Sequence, residues 1–295
     1  MNVEKAKTAV IIMLLILNLV IYLLIAKEAN AFTLTAAQET AITTVLENNG
    51  VFLNAPVIRD FSPMRQLQMA GFDYGFMAGL LFHEDEDISH YATQRHIERF
   101  RAESGRITIE NADIFYYVRH YGGERLVDIN AQTARAISGA FLEQMRAVHP
   151  NLEFVYYSSR PDPLGYEVRY VGMYDGRVIG SNFLLFTVDD YGISNIFGRF
   201  VRPEGFIGSE HEIHSVDEAL LALLRHLRII HPQGDIFIED IQMAYYLVTD
   251  GGANSLAAPA YMFTIRRGFE SGADTINIFV NAYNNTVIRP NEFGL

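Results

Sequence analysis

The most regular feature of the sequence is a pair of segments whose apolar residues recur with the period of a helix. One segment runs from Thr133 to Val148, and the other follows Ser215 and contains ALLALLRHLRII. Both end in the pattern Arg-X-X-His-Pro, at residues 146–150 and 228–232, which are 82 residues apart. Because proline cannot continue a helix, the pattern predicts two helices that end in the same way.

Strand-like segments follow each His-Pro pair, separated by turns rich in glycine and asparagine. The predicted strands lie at residues 152–157, 166–174, 178–188, 193–200, 235–248, 260–267 and 275–283. A helix that packs on one face of an antiparallel sheet makes an α+β unit. The sequence therefore predicts two repeated α+β units, at residues 130–205 and 208–295.

A first α+β unit is predicted at residues 32–128. Thr35 and Gln38 have the spacing of a capping box, which opens a helix through Leu46, and Ser215 with Glu218 repeats that spacing before the last helix. The remainder of the first unit predicts strands near 65–83, a polar helix near 89–103, and strands at 106–111 and 113–120.

An uncharged apolar run of 18 residues, from Ala9 to Ala26, precedes these units. As a helix it would be about 27 Å long, close to the ~30 Å hydrocarbon core of a bilayer. Lys5 and Lys7 lie before it, so the positive-inside rule places residues 1–8 in the cytoplasm. The sequence predicts a transmembrane helix at 9–27, a single-pass location in the cell membrane, and an extracytoplasmic remainder.

A cleaved signal peptide is the alternative interpretation of this run. Ala29-Asn30-Ala31 has the A-x-A arrangement of a cleavage site. The apolar run exceeds the ~7–15 residues of an ordinary signal core, which favours the uncleaved anchor.

Asn18 is the strongly polar residue within this apolar run. An amide in apolar surroundings usually bonds to another helix, although it can also bond to its own backbone. Helical spacing places a set of residues on its face of the helix, and we predict that this face binds a partner helix: Ile11, Leu14, Asn18, Ile21, Tyr22 and Ile25.

Composition and charge exclude several classes of partner and site. The 295-residue chain has a formal net charge of −12, which disfavours nucleic acid and an anionic lipid surface. It contains no cysteine, so disulfides, thiolate nucleophiles and cysteine-bound zinc are excluded.

Motifs for catalysis and for metal binding are weak or missing. The sequence has no phosphate-binding loop, no dinucleotide-binding glycine motif and no G-x-S-x-G motif. His211 and His214 are three residues apart rather than four, and the acidic stretch from His83 to His90 lacks the pattern of an EF-hand. Adjacent carboxylates occur at Asp189-Asp190 and Glu239-Asp240, but adjacency does not establish glycosidase geometry. We expect no enzyme activity, no cofactor and no metal.

His149 and His231 lie at matching helix ends, where an imidazolium would face the negative end of the helix dipole. A structural role at the helix end is the favoured interpretation, and pH sensing is the weaker one.

Three segments of the N-terminal region have a familiar pattern: Glu4-Lys5-Ala6-Lys7-Thr8, Leu17-Asn18-Leu19 within the apolar run, and residues 46–56, LENNGVFLNAP. In these segments the chain resembles the YycI/YycH family, and YycI more closely. It implies a single-pass regulator of the sensor histidine kinase of the Walk/Yyc two-component system, which governs cell-wall metabolism, with a YycH-like protein in the same complex.

The predicted function is therefore modulation of a sensor kinase through transmembrane-helix and ectodomain contacts. Two alternatives remain open. One is a binding or inhibitor module, secreted or anchored outside the cytoplasm, that has no kinase partner, and the other is an extracytoplasmic hydrolase with an unrecognised carboxylate site.

Overall fold

The structure, a computed structural model, consists of one large sheet and the helices that cover it. It describes residues 12–22, 31–71, 74–83, 85–94, 97–111, 113–120, 125, 128–151, 153–199, 201–231, 234–248, 255–267 and 275–288. The helices in these ranges are α1 at residues 12–22, α2 (Ala36–Glu47), α3 (Tyr74–Leu81), α4 (Ala131–Val148) and α5 (Val216–Ile230).

The local signals at helix ends decide where these helices begin. The predicted capping box of Thr35 and Gln38 is confirmed, and α2 follows it directly. Helix α4 begins two residues earlier than predicted, because the Asn130 side chain accepts a hydrogen bond from the Thr133 N–H at 2.9 Å. The predicted capping box at Ser215 is wrong, since its hydroxyl donates to the Asp217 carboxylate and caps no backbone N–H.

Fifteen strands lie in the described residues, and all belong to one hydrogen-bonded sheet. They are β1 (Val51–Leu53), β2 (Met64–Ala70), β3 (Ser89–Gln94), β4 (Ile97–Arg101), β5 (Gly105–Glu110), β6 (Ile114–Arg119), β7 (Glu153–Asp162), β8 (Gly165–Tyr174), β9 (Arg177–Asp189), β10 (Gly192–Arg199), β11 (Arg202–His211), β12 (Ile236–Leu247), β13 (Ser255–Arg267), β14 (Thr275–Asn281) and β15 (Val287–Ile288).

The main path through the sheet is β11-β2-β13-β12-β9-β10-β6-β5-β4-β3. Strand β1 lies beside β12, strands β14 and β15 continue from β13, and strands β8 and β7 continue from β9. Most neighbours are antiparallel, but β1 with β12 and β9 with β12 are parallel.

One arrangement of elements occurs twice. Helix α4 is followed by the antiparallel meander β7-β8-β9-β10, and α5 is followed by the antiparallel meander β12-β13-β14-β15. Asp175, between β8 and β9, and Asn285, between β14 and β15, lie in the left-handed region at φ of 50° and 55°. The remaining elements are divided between the two meanders. Helix α2 and strands β1 and β2 lie with the second meander, and helix α3 and strands β3–β6 lie with the first.

Each amphipathic helix buries its apolar stripe on its own meander. Phe141 and Met145 of α4 lie in one core with Phe186 of β9. Leu223 of α5 lies in a second core with Phe263 of β13, and α2 adds its apolar face to that core. Two of the buried apolar clusters on this sheet are thus each formed by a helix and its own meander.

The predicted fold class needs correction in two respects. The structure is mixed α/β with one large sheet that includes parallel pairings, rather than repeated units of purely antiparallel sheet. Among the described residues, no helix is both long and apolar enough to cross a membrane.

This second finding contradicts the predicted transmembrane helix at 9–27, and with it the single-pass location in the cell membrane. The helical residues 12–22 extend about 16 Å at 1.5 Å per residue, roughly half of a hydrocarbon core. Residues 9–11 and 23–27 of the predicted span, and all of residues 1–8, lie outside the described residues.

Two predictions in the first unit are also wrong. Residues 74–81 form helix α3 rather than a strand, because a short continuous apolar run does not distinguish a buried helix from a buried strand. Residues 89–101 form the hairpin of β3 and β4 rather than a polar helix, and the side chain of Phe100 in β4 is buried against the ring of His90 at 4.4 Å. The predicted strands at 106–111 and 113–120 are confirmed as β5 and β6.

Candidate interaction surfaces

Helix α1 presents an apolar surface with no cover from the rest of the described chain. Its large apolar side chains are between 44% exposed, at Ile21, and 71% exposed, at Met13. Leu14, Asn18 and Tyr22 of the predicted face are exposed as well. Ile11 and Ile25 lie outside the described residues. The predicted face is thus available for contact over the part that the structure describes.

Asn18 gives this surface its one amide among aliphatic neighbours. An amide at a helix–helix contact fixes the register of the two helices, because misaligned partners leave it without a hydrogen bond. Residues 14, 18, 21 and 22 share a face by helical spacing, whereas Ile16 and Val20 lie on the opposite side of the helix.

A cavity of about 430 Å³ lies where α4 ends. Val148, His149, Pro150 and Asn151 form one wall, and Arg202, Pro203 and Glu204 of β11 form the other. The His149 ring meets the Phe76 ring edge-on, at 5.6 Å between ring centres. An ion pair of 3.5 Å joins Arg202 to Glu204. This lining is polar and can hold a chain segment or a small polar molecule.

His211 and His214, the two histidines three residues apart in the sequence, each contact a different side chain. His214 bonds through Nδ1 to the Glu218 carboxylate one turn along the chain, while the ring of His211 faces that of Tyr283 at 6.0 Å between centres. In the described ranges, no group of three or more histidine, aspartate or glutamate side chains could hold a metal ion.

Of the paired carboxylates, three are held in ion pairs by arginines from neighbouring strands and loops. Arg119 binds Asp189 at 2.5 Å, Arg125 binds Asp190 at 2.9 Å, and Arg266 binds Glu239 at 2.6 Å. The fourth, Asp240, accepts a hydrogen bond from Gln242. Each of these four carboxylates is therefore engaged by a side chain of the described residues.

One buried charged pair was not predicted from the sequence. Asp113, in the turn between β5 and β6, accepts a hydrogen bond from Arg199 Nε at 2.5 Å, and its side chain is 1% exposed. Burial first, and then the charge of Asp113, raises the pKa of the nearby Tyr74 phenol above its usual range. The two charged residues are 86 positions apart, so no local pattern connects them.

Comparison with known proteins identifies a fold but no family. No family model matches the chain, and no curated protein matches it. An uncharacterized protein from Eubacterium rectale ATCC 33656 has a similar crystal structure, with 13% sequence identity and a TM-score of 0.52 over 83% of this chain and 92% of that chain. The C-terminal domain of Bacillus megaterium YpeB has 12% identity and a TM-score of 0.36, over 74% of this chain and 96% of that domain.

The first likeness shows a shared fold, and the second is too weak to carry an argument. The descriptions of these two proteins name no two-component system, and no family model supports membership of the YycI/YycH family. The expected involvement in a two-component system therefore gains no support here.

Proposed function

We propose that this protein is a non-enzymatic interaction protein that binds an apolar helix of a partner protein through the Asn18 face of α1. The observation that carries the proposal is the exposure of every described side chain of α1, although ten of its eleven residues are hydrophobic. A large, contiguous, exposed apolar surface marks a site that binds another macromolecule or a membrane.

The polar residue of α1 supports a helix as the partner. A neighbouring helix can supply a hydrogen-bonding group at the level of Asn18 and aliphatic side chains beside Leu14 and Ile21. The opposite face, with Ile16 and Val20, has no such polar anchor. The proposal depends on this difference between the faces and does not place α1 in a membrane.

The absence of enzymatic activity is part of the proposal. Of the acids that the sequence singles out, Asp189, Asp190 and Glu239 are neutralised by arginines, and this arrangement favours a structural role for them. The sensor kinase and the YycH-like protein implied by the resemblance stay predictions, and the proposal does not require them.

Site-specific photocrosslinking of the full-length chain in its native cells tests the proposal. A photoreactive phenylalanine analogue is placed at Leu14, on the Asn18 face, or at Ile16, on the opposite face. We expect one discrete crosslinked partner from position 14, at a yield several times that from position 16. Mass spectrometry of the product identifies the partner and the residue that it contributes.

A second variant links the result to the amide. Asn18→Leu should lower the crosslink from position 14, and Val20→Leu should leave it unchanged. Equal yields from both faces would contradict a specific helix contact. A crosslinked species of twice the chain mass would show self-association and overturn the assignment to a different protein.

A further inference from the structure

Strand β7 is the outermost strand of the first meander, and one of its two edges is exposed among the described strands. Its hydrogen-bonded neighbour is β8, and no second strand lies beside it in the described part of the chain. Val155, near its beginning, is 40% exposed. An apolar strand edge is a template for another extended segment.

In the second meander, the edge that corresponds to this one is paired with another strand. The corresponding strand, β12, has β1 beside its beginning in parallel orientation, with Phe52 opposite Phe237 in the register. The two rings stack at 5.4 Å between centres. Backbone bonds extend the contact at both ends of β1, from the Ile236 N–H to the Gly50 carbonyl at 3.1 Å and from the Asn54 N–H to the Ile238 carbonyl at 2.9 Å.

The offset of 82 residues between the two helix ends makes Val155 the counterpart of Phe237. Phe237, which stacks on Phe52 of β1 and lies under the Arg266 guanidinium, is 8% exposed, whereas Val155 is 40% exposed. The two residues occupy matching positions in the two meanders, but Val155 is much more exposed than Phe237.

The turn before β1 contacts the junction of α5 and β12, and the corresponding junction of α4 and β7 has no such turn beside it in the described residues. A Cβ at Gly50 would lie 3.0 Å from Arg228 Nη2 and 3.3 Å from Asp235 Oδ1, so this turn lies directly against the junction of α5 and β12. The offset makes Arg146 and Glu153 the counterparts of these residues, and both are exposed. The cavity at the end of α4 adjoins the same junction.

We propose that β7 binds an extended apolar segment of a partner protein, which pairs in parallel with the beginning of the strand and covers Val155. The segment has the character of β1, Val-Phe-Leu, and a turn that precedes it contacts Arg146 and Glu153. This surface is separate from α1, and its occupation does not rest on the proposed helix contact. Strand addition of this kind derives affinity from backbone hydrogen bonds and specificity from alternate side chains.

The far end of β7 argues against a second copy of this chain as the occupant. Arg160 and Pro161 lie there, and proline has no N–H to donate to a neighbouring strand. Two copies paired about a two-fold axis over the whole of β7 would run antiparallel, which would place Pro161 of one copy beside the Val155 end of the other. A parallel partner segment at the beginning of β7 avoids this residue.

A fluorescently labelled peptide of residues 47–56, ENNGVFLNAP, is a suitable probe because it contains β1 and its preceding turn. Fluorescence anisotropy with the full-length protein measures its binding, and a scrambled peptide is the reference. We expect saturable binding in the micromolar to millimolar range, with hydrogen exchange slowed at the beginning of β7.

Val155→Lys should weaken this binding at least fivefold, because it places a charge at the centre of the contact. Val118→Lys is the matched control: Val118 is 38% exposed but lies in β6, which has a strand on each side. Urea unfolding confirms that both variants fold.

Four results would overturn the proposal. Three concern the peptide: the absence of saturable binding, equal binding by the Val155→Lys variant, and slowed exchange at the edge of β12 instead of β7. The fourth is a dimer that Val155→Lys dissociates, which would show that a second copy occupies the edge.

Discussion

His149 and His231 have nearly the same backbone conformation, with φ and ψ of −123° and 77° in one and −136° and 79° in the other. Each N–H donates to the carbonyl four residues earlier, at 3.0 Å to Met145 and 2.7 Å to Leu227. Both histidines therefore lie at helix ends, as predicted. Because residue type, dihedral angles and hydrogen bond agree, each helix with its meander can be compared position by position with the other.

The contact between the two meanders depends on a glycine. A Cβ at Gly180 of β9 would lie 2.3 Å from the ring of Phe279 in β14, so an alanine there forces the ring or the strand to move. We expect Gly180→Ala to lower the free energy of unfolding by about 1–3 kcal/mol. Urea denaturation measures the change.

Two further variants test whether the steric contact is the cause. Phe279→Leu makes room for the added methyl, so the double variant should lose less stability than the sum of the two single losses. Gly79→Ala is the control, since no atom lies within 4 Å of its Cβ and it should raise helix stability by up to ~1 kcal/mol. Additive losses would show that Phe279 is not the obstacle.

The buried pair of Asp113 and Arg199 makes a second prediction. Removal of Arg199 takes the ion-pair partner from the Asp113 carboxylate, which is 1% exposed, and such a loss typically costs about 3–5 kcal/mol. We expect Arg199→Ala to lose stability in this range. Asp128→Ala is the comparison, because the Asp128 side chain is 92% exposed in its ion pair with Arg125 and should contribute less than ~1 kcal/mol. Similar losses in the two variants, measured by urea unfolding, would refute a special role for burial.

The sequence predicts those parts of the fold that local chemistry decides. Thr35 with Gln38, and the His-Pro pairs after α4 and α5, mark helix ends within a few residues, and their positions agree with the structure. Long-range pairing has no such signal. The partnership of Asp113 with Arg199, and that of β1 with β12, join residues far apart in the chain.

Of the two candidate surfaces, one could be predicted from the sequence and the other could not. Helical periodicity alone places Leu14, Asn18 and Ile21 on one face, so the α1 surface could be predicted. The free edge of β7 could not, because a missing neighbour is recognised only when the corresponding strand, β12, is seen with its own. The transmembrane prediction rests on hydropathy alone, and it is contradicted because no helix among the described residues is both long and apolar enough to cross a membrane.

Helix caps provide a third prediction. The Thr35 hydroxyl accepts a hydrogen bond from the Gln38 N–H, and the Gln38 side chain accepts one from the Thr35 N–H at 3.0 Å. Thr35→Ala should therefore cost about 1 kcal/mol of stability. Ser215→Ala should cost less, because its hydroxyl caps no N–H of α5. Denaturant unfolding of the two variants ranks them, and a larger loss at Ser215 would contradict the cap assignment.

The stability of the protein should fall in alkali partly because of Tyr283. Burial, with a smaller effect from Tyr245, raises the pKa of the Tyr283 phenol to about 12, and the phenol donates a hydrogen bond to the Met64 carbonyl at 2.9 Å. The unfolded chain ionises this phenol near its ordinary pKa of about 10. The neutral phenol therefore stabilises the fold fully below pH 10, and that contribution is lost as the pH rises from 10 to 12.

Replacement of the phenol by Tyr283→Phe removes this dependence together with the hydrogen bond. At neutral pH we expect the variant to be less stable by about 1 kcal/mol. Between pH 10 and 12 its stability should fall less steeply than that of the unsubstituted protein, as measured by urea unfolding at each pH. Tyr91→Phe, in an exposed ring, is the control and should follow the unsubstituted protein. Parallel curves for Tyr283→Phe and the unsubstituted protein would show that this phenol ionises at the same pH in both states.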